Sequence, residues 1–175
     1  MPHRHAIRDE FSVPLDTESG QKIFRQKLNG LYEGSIVGHL ATLVNSLLLA
    51  FLLWNHAPHT LLISWVSALY GITLVRFVLL RRYRTASLQP DFDSYRWFLV
   101  FAIGIGLAGA VWGSAAIWLF PEDSVPHQSF IAFVLAGMTA GAVSHYSILP
   151  AASLSFLLPA LVPLMVRLLH SGGEL

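Results

Sequence analysis

The 175-residue sequence contains no cysteine, which rules out disulfides, thiolate metal sites and thiol nucleophiles. Charge is scarce as well. Asp, Glu, Lys and Arg together make up 12% of the residues, about half of the roughly 25% usual in soluble domains. That is too little to cover a soluble globule of this size. Acidic residues are missing from two long stretches, between Glu33 and Asp91 and between Asp123 and Glu174. The net charge of +1 is segregated along the chain, leaving no continuous basic stripe for nucleic acid. The signatures of soluble catalysis are also absent: there is no G-x-x-x-x-G-K-[ST] phosphate loop, no G-x-S-x-G elbow and no H-E-x-x-H helix. No catalytic or cofactor-binding residue is assigned, and no cofactor is expected. Residues 1–34 are polar and lack the apolar core of a secretory signal.

What is abundant is apolar sequence, at 54% of residues and a mean hydropathy of +0.58. A membrane-spanning helix needs about 20 mostly apolar residues to cross roughly 30 Å of hydrocarbon. Five stretches meet that requirement, at 36–54, 61–80, 97–120, 129–146 and 148–166. The predicted fold is therefore an all-α integral membrane bundle of about five transmembrane helices over residues 35–170, with 171–175 as a short tail. The last two spans come from one long uncharged run, divided at Ser144-His145-Tyr146-Ser147 ahead of Pro150. Within the polar tail 1–34, Phe24, Leu28, Leu31 and Tyr32 recur at helical spacing opposite Lys22, Arg25 and Gln26. This pattern predicts a short amphipathic helix over 21–33, lying on the leaflet and running into the first span.

Orientation follows from the basic residues in the short flanking segments. Of the 11 Lys and Arg, all but Arg76 and Arg167 fall in the N-terminal tail or in the connector 81–96. The connectors 55–60 and 121–128 have none. The N-terminus is thus expected in the cytoplasm and the C-terminus outside, with Arg167 as a mild violation. Arg76, five residues before the Arg81 cluster, is expected to extend its side chain to the headgroups.

Several residues within or beside the spans merit a reading. Gly109 with Gly113, and Gly137 with Gly141, form two G-x-x-x-G pairs that allow close backbone approach, within one bundle or between two copies. His56, His59 and His127 all lie in the two unbasic connectors. They are candidate metal ligands or external proton sensors, or simply interfacial polar groups. His39 and His145 lie near the same end of their spans and are candidates for one polar layer with Tyr146 or Ser144. Asn45 is deeper and is expected to bond to another helix. Trp112, the deepest tryptophan, is expected to pack on a glycine face.

The order of features over roughly residues 30–170 carries a resemblance. Leu79-Leu80-Arg81-Arg82-Tyr83-Arg84 is followed by Tyr95-Arg96-Trp97, Gly109-Ala110-Val111-Trp112-Gly113 and Leu119-Phe120-Pro121. After these come Leu135-Ala136-Gly137-Met138-Thr139-Ala140-Gly141 and Leu157-Leu158-Pro159-Ala160-Leu161-Val162-Pro163-Leu164. Together they resemble the N-terminal multi-helix membrane module of bacterial signalling proteins, which precedes a GGDEF, EAL or histidine kinase domain. The resemblance implies a non-enzymatic sensory and anchoring module in the bacterial inner membrane. Its expected partners are the lipid bilayer and either a second copy or a protein carrying the output domain. No residues of such a domain can be mapped here, and the module is expected to lack its cytoplasmic output. A small channel or transporter, with the proline-rich fifth span as a broken helix, and a scaffold subunit of a membrane complex are the alternative readings.

Overall fold

A computed structural model describes residues 18–89 and 91–171. His3, His5, Arg4, Arg8 and the tail 172–175 lie outside the described residues. Five α-helices account for nearly all of the described chain: α1 (Glu18–Leu53), α2 (His59–Ala86), α3 (Ser94–Trp118), α4 (Val125–Tyr146) and α5 (Pro150–Ser171). All five are long and apolar enough to cross a membrane, and the architecture is that of a multi-pass helical membrane protein. Only 22% to 39% of each helix's apolar window is buried, so most of this apolar surface faces outward. Phe51 and Phe133 are 78% and 75% exposed, an arrangement that lipid, not water, solvates favourably.

The helix ends follow from local chemistry. Pro58 precedes α2, and Pro126 occupies the first turn of α4, where proline's missing N–H costs nothing. The Asp93 carboxylate caps α3 by accepting from the Tyr95 and Arg96 backbone N–H groups, each at 3.0 Å. Between α4 and α5, Pro150 cannot donate to the Tyr146 carbonyl. That carbonyl accepts instead from Leu149 N–H at 3.1 Å, in a tight turn over Ser147, Ile148 and Leu149.

The helices form a closed ring in the order α1–α2–α3–α5–α4, and α3 also reaches across to α1 and α4. It thus packs against all four others. Its closest partner is α5, and the reason lies in glycine. A Cβ built on Gly109 would meet the Phe156 carbonyl oxygen at 2.5 Å, and one on Gly113 would overlap the Pro159 carbonyl oxygen. Proline lacks an N–H, so Pro159 and Pro163 leave the carbonyls of Ser155 and Pro159 without an i+4 donor. Those two carbonyls face Gly106 and Gly113 of α3. The backbone of α3 approaches where α5 has unpaired acceptors, a geometry suited to Cα–H···O contacts.

The amphipathic stretch expected over 21–33 is not a separate helix on the leaflet. It forms the first turns of α1, which runs without a break for 36 residues, about 54 Å. No proline interrupts it. Its apolar side is claimed by the bundle's own end. Leu28, Leu31 and Tyr32 are buried, Tyr32 stacks on Tyr83 with ring centroids 3.7 Å apart, and its hydroxyl donates to the Trp97 carbonyl at 3.0 Å. Arg25 donates to the Ser87 carbonyl and lies over the Phe92 ring, and Tyr83 donates to Asn29. Lys22, Arg25 and Lys27 thereby join Arg81, Arg82 and Arg84 at one end of the molecule, called here the basic end.

Candidate functional site

The buried residues of α2 are Leu62, Trp65, Leu69, Thr73, Arg76, Leu80 and Tyr83, a repeat of three- and four-residue steps marking one face of a helix. Arg76 sits on that face. It is 9% exposed, points into the bundle and does not reach the headgroups as expected of it. Snorkelling requires a side chain on the lipid side, and on α2 that side is held by Leu74, Val75, Phe77 and Val78. Gly104 of α3 makes room for the Arg76 stem: a Cβ there would stand 3.3 Å from the Arg76 Cγ.

The guanidinium donates through Nη2 to the Tyr146 hydroxyl oxygen at 3.2 Å. Among the described residues no carboxylate lies within ion-pair distance of it. Gly38 of α1 lets the Tyr146 hydroxyl approach, since a Cβ there would stand at 3.1 Å from it. Arg76 borders two cavities. One is a chamber of about 10 Å³ shared with Tyr32, Ser35, His39, Phe101 and Gly104, roughly the threshold for one water-sized group. The other is a groove of about 150 Å³ between α1 and α4.

His39 is 6% exposed and neither ring nitrogen has a hydrogen-bond partner. Its neighbours on the buried stripe of α1 behave differently. The hydroxyls of Ser35, Thr42 and Ser46 donate to their own helix backbone at Tyr32, Gly38 and Leu43, which hydroxyls can do from a helix interior. His145 is half-buried and bonds back to the Gly141 carbonyl at 2.9 Å. His39 borders the small chamber and His145 the groove, so Arg76 lies between the two histidines. Asn45 donates to its own Ala41 carbonyl at 3.0 Å and across the groove to the Met138 sulfur at 3.5 Å.

The two glycine pairs have separate surroundings. Gly109 and Gly113 face the α5 backbone, whereas a Cβ on Gly137 or Gly141 would meet nothing within 4 Å. Gly137 and Gly141 do not mediate helix packing within this bundle; they wall the α1–α4 groove. Trp112 is fully buried, edge-on to Trp65 with centroids 5.2 Å apart.

The connector histidines are partly gathered. His56 and His127 lie with ring centroids 3.7 Å apart. His59 turns away, stacking on Trp54 and bonding to the Trp54 carbonyl at 3.0 Å. His127 Nδ1 is engaged by the Ser124 hydroxyl at 2.6 Å. Among the described residues no three His, Asp or Glu side chains converge as a metal site. At the same end, Arg167 pairs with Glu122 at 2.5 Å and lies over Phe120, so the outlying cation has its own counter-charge.

Among the described residues, the fold and site thus define a five-helix membrane bundle whose interior holds one arginine, beside a groove open to the lipid side. In comparisons with known proteins, no family model, no curated protein and no solved structure matches the chain.

Proposed function

We propose that this chain is the membrane-embedded signal-input and anchoring module of a bacterial signal-transduction protein. It resides in the inner membrane with its basic end in the cytoplasm, and acts on cyclic-di-GMP or two-component output. The observation that carries this reading is the placement of Arg76 beside α1. Gly38, Thr42 and Asn45 of α1 line the Arg76 groove, and the same unbroken helix continues to the basic end, where Leu28, Leu31 and Tyr32 are buried. A change of occupancy in the groove therefore acts on a rigid rod that ends where an output domain would receive it. The clustering of Lys and Arg at that end supports its cytoplasmic placement. Ionisable residues inside membrane helices are costly and mark function.

A transporter reading draws less support. Pro159 and Pro163 lie in one continuous helix seated on α3, and among the described residues no carboxylate lies within ion-pair distance of the buried Arg76. Pull-down of the full chain in mild detergent, with cellular cyclic-di-GMP and kinase phosphotransfer measured alongside, tests the proposal. The expected result is co-purification of a protein bearing a GGDEF, EAL or kinase domain, and an output change that Arg76→Gln abolishes at equal membrane abundance. Solute flux in proteoliposomes with no change in either output overturns it.

A further inference from the structure

We propose that the α1–α4 groove binds a single-chain carboxylate amphiphile of the fatty-acid class, with its carboxylate on Arg76 and Tyr146 and its chain along Gly137 and Gly141. This names the ligand class for the same site and so rests on the sensory reading for its biological consequence.

The argument begins with charge. A guanidinium at membrane depth needs a counter-charge, and the described residues place none within reach of Arg76. Its planar fork matches a carboxylate in two parallel bonds. Tyr146 adds a second donor. Its hydroxyl oxygen accepts from Arg76, which leaves the phenolic proton to donate into the groove. On the far side of the same guanidinium, His39 has two unpartnered ring nitrogens, but a neutral imidazole offers one donor and one acceptor, so the excess of donors comes from Arg76 and Tyr146. An anion balances that excess.

The shape of the site selects the rest of the ligand. Gly38, Gly137, Gly141, Met138 and Phe156 wall the groove, and the open space over Gly137 and Gly141 leaves a smooth trough for a methylene chain. Val37, Gly137 and Gly141 are exposed on the outer surface, so entry is from lipid. At about 150 Å³ the groove takes the carboxylate and the first methylenes of one chain, and the rest of that chain lies in lipid. Arg76 lies five residues inside Arg81, about 7.5 Å along the helix axis. A slim carboxylate reaches that depth more readily than a bulky phosphodiester headgroup.

The test uses the full chain in phosphatidylcholine nanodiscs, with a diazirine-bearing palmitate as photoprobe and labelled peptides mapped by mass spectrometry. Label is expected on α1 and α4. Palmitate should compete, whereas methyl palmitate, without the charge, should compete about tenfold or more weakly, as loss of a charge-assisted bond dictates. Arg76→Gln should reduce labelling by about the same factor. That variant also loses the Tyr146 bond and threatens folding, so Gly141→Leu serves as the second. It fills the groove from a position with open space and leaves Arg76 intact, and it too should abolish labelling. Equal competition by methyl palmitate, wild-type labelling of Gly141→Leu, or phosphatidylglycerol competing as well as palmitate would each overturn the proposal. The readout is binding alone. A chain that moves its output through Arg76 yet binds no palmitate refutes this ligand and spares the sensory reading, and the converse result does the reverse.

Discussion

At the scale of single residues, the site is defined by one cation and one imidazole with too few partners. Most of the buried polar side chains on α1 and α2 satisfy themselves locally: Ser35, Thr42, Ser46 and Thr73 all donate to their own helix backbone. His39 does not, and an unsatisfied buried polar group costs about 1–3 kcal/mol. His39→Leu, of similar bulk and with nothing to satisfy, should therefore raise the unfolding free energy in mild detergent by about 1 kcal/mol, read by denaturant titration of tryptophan fluorescence. A fall in stability would mean that His39 is held by interactions other than those seen. Tyr146→Phe should act oppositely, costing about 1–2 kcal/mol because it strips Arg76 of its hydroxyl acceptor. Of these residues the sequence announces His39 and His145 by their position in apolar spans. It announces Arg76 too, as the single formal charge within all five expected spans, and its place on the stripe Leu69, Thr73, Arg76, Leu80 was open to a periodicity argument. Proximity to Arg81 suggested the headgroups instead, and it took the packing of α2 against Gly104 to decide which way the side chain points.

At the scale of elements, two identical glycine motifs serve unlike ends. The hydrophobic run lengths suffice to expose five helices, because length and apolarity are local properties. The partner of each glycine face is not local, and G-x-x-x-G alone cannot tell a helix seat from a groove wall. Gly113→Ala should destabilise the bundle by about 1–3 kcal/mol, since its Cβ would overlap the Pro159 carbonyl on the preferred partner of α3. Gly141→Ala should be neutral or stabilising by up to about 1 kcal/mol, as alanine is the better helix former and its Cβ meets nothing. Parallel thermal scans of the two variants check the contrast; equal losses would mean that both faces are packed. The same limit explains α1. Amphipathicity over 21–33 correctly marks a helix with one apolar side, but the sequence cannot distinguish a lipid headgroup layer from the Tyr83–Phe92–Trp97 cluster as the surface that takes it.

At the scale of the whole molecule, the five membrane-length helices of the described residues and a polarised charge distribution act together. Lys22, Arg25, Lys27, Arg81, Arg82, Arg84 and Arg96 collect at one end, tied by the Arg25–Ser87 and Tyr83–Asn29 bonds. Among the described residues the other end carries Glu122 and Asp123 and a single Lys or Arg, Arg167, which is paired with Glu122. Carrying each Lys or Arg into the membrane costs about 2.5–3.5 kcal/mol on insertion scales, so the proposed orientation keeps the end with seven of them on the side of synthesis. Arg167 presents no comparable barrier, being alone and neutralised. In the proposed topology, one crossing for each of the five membrane-length helices among the described residues places Ser171 opposite the α2–α3 connector. Alkaline phosphatase fused after Ser171 should accordingly be active and green fluorescent protein fused there dark, with both results reversed for insertions after Gln89. Glu122→Gln removes the counter-charge of Arg167 but leaves the seven-residue bias, so it should cost less than about 1 kcal/mol of stability and leave both reporters unchanged. A fluorescent fusion after Ser171 would require an even number of crossings, and because the α3–α5 glycine seat fixes those two helices side by side, the helix to remove from the count would be α1, α2 or α4.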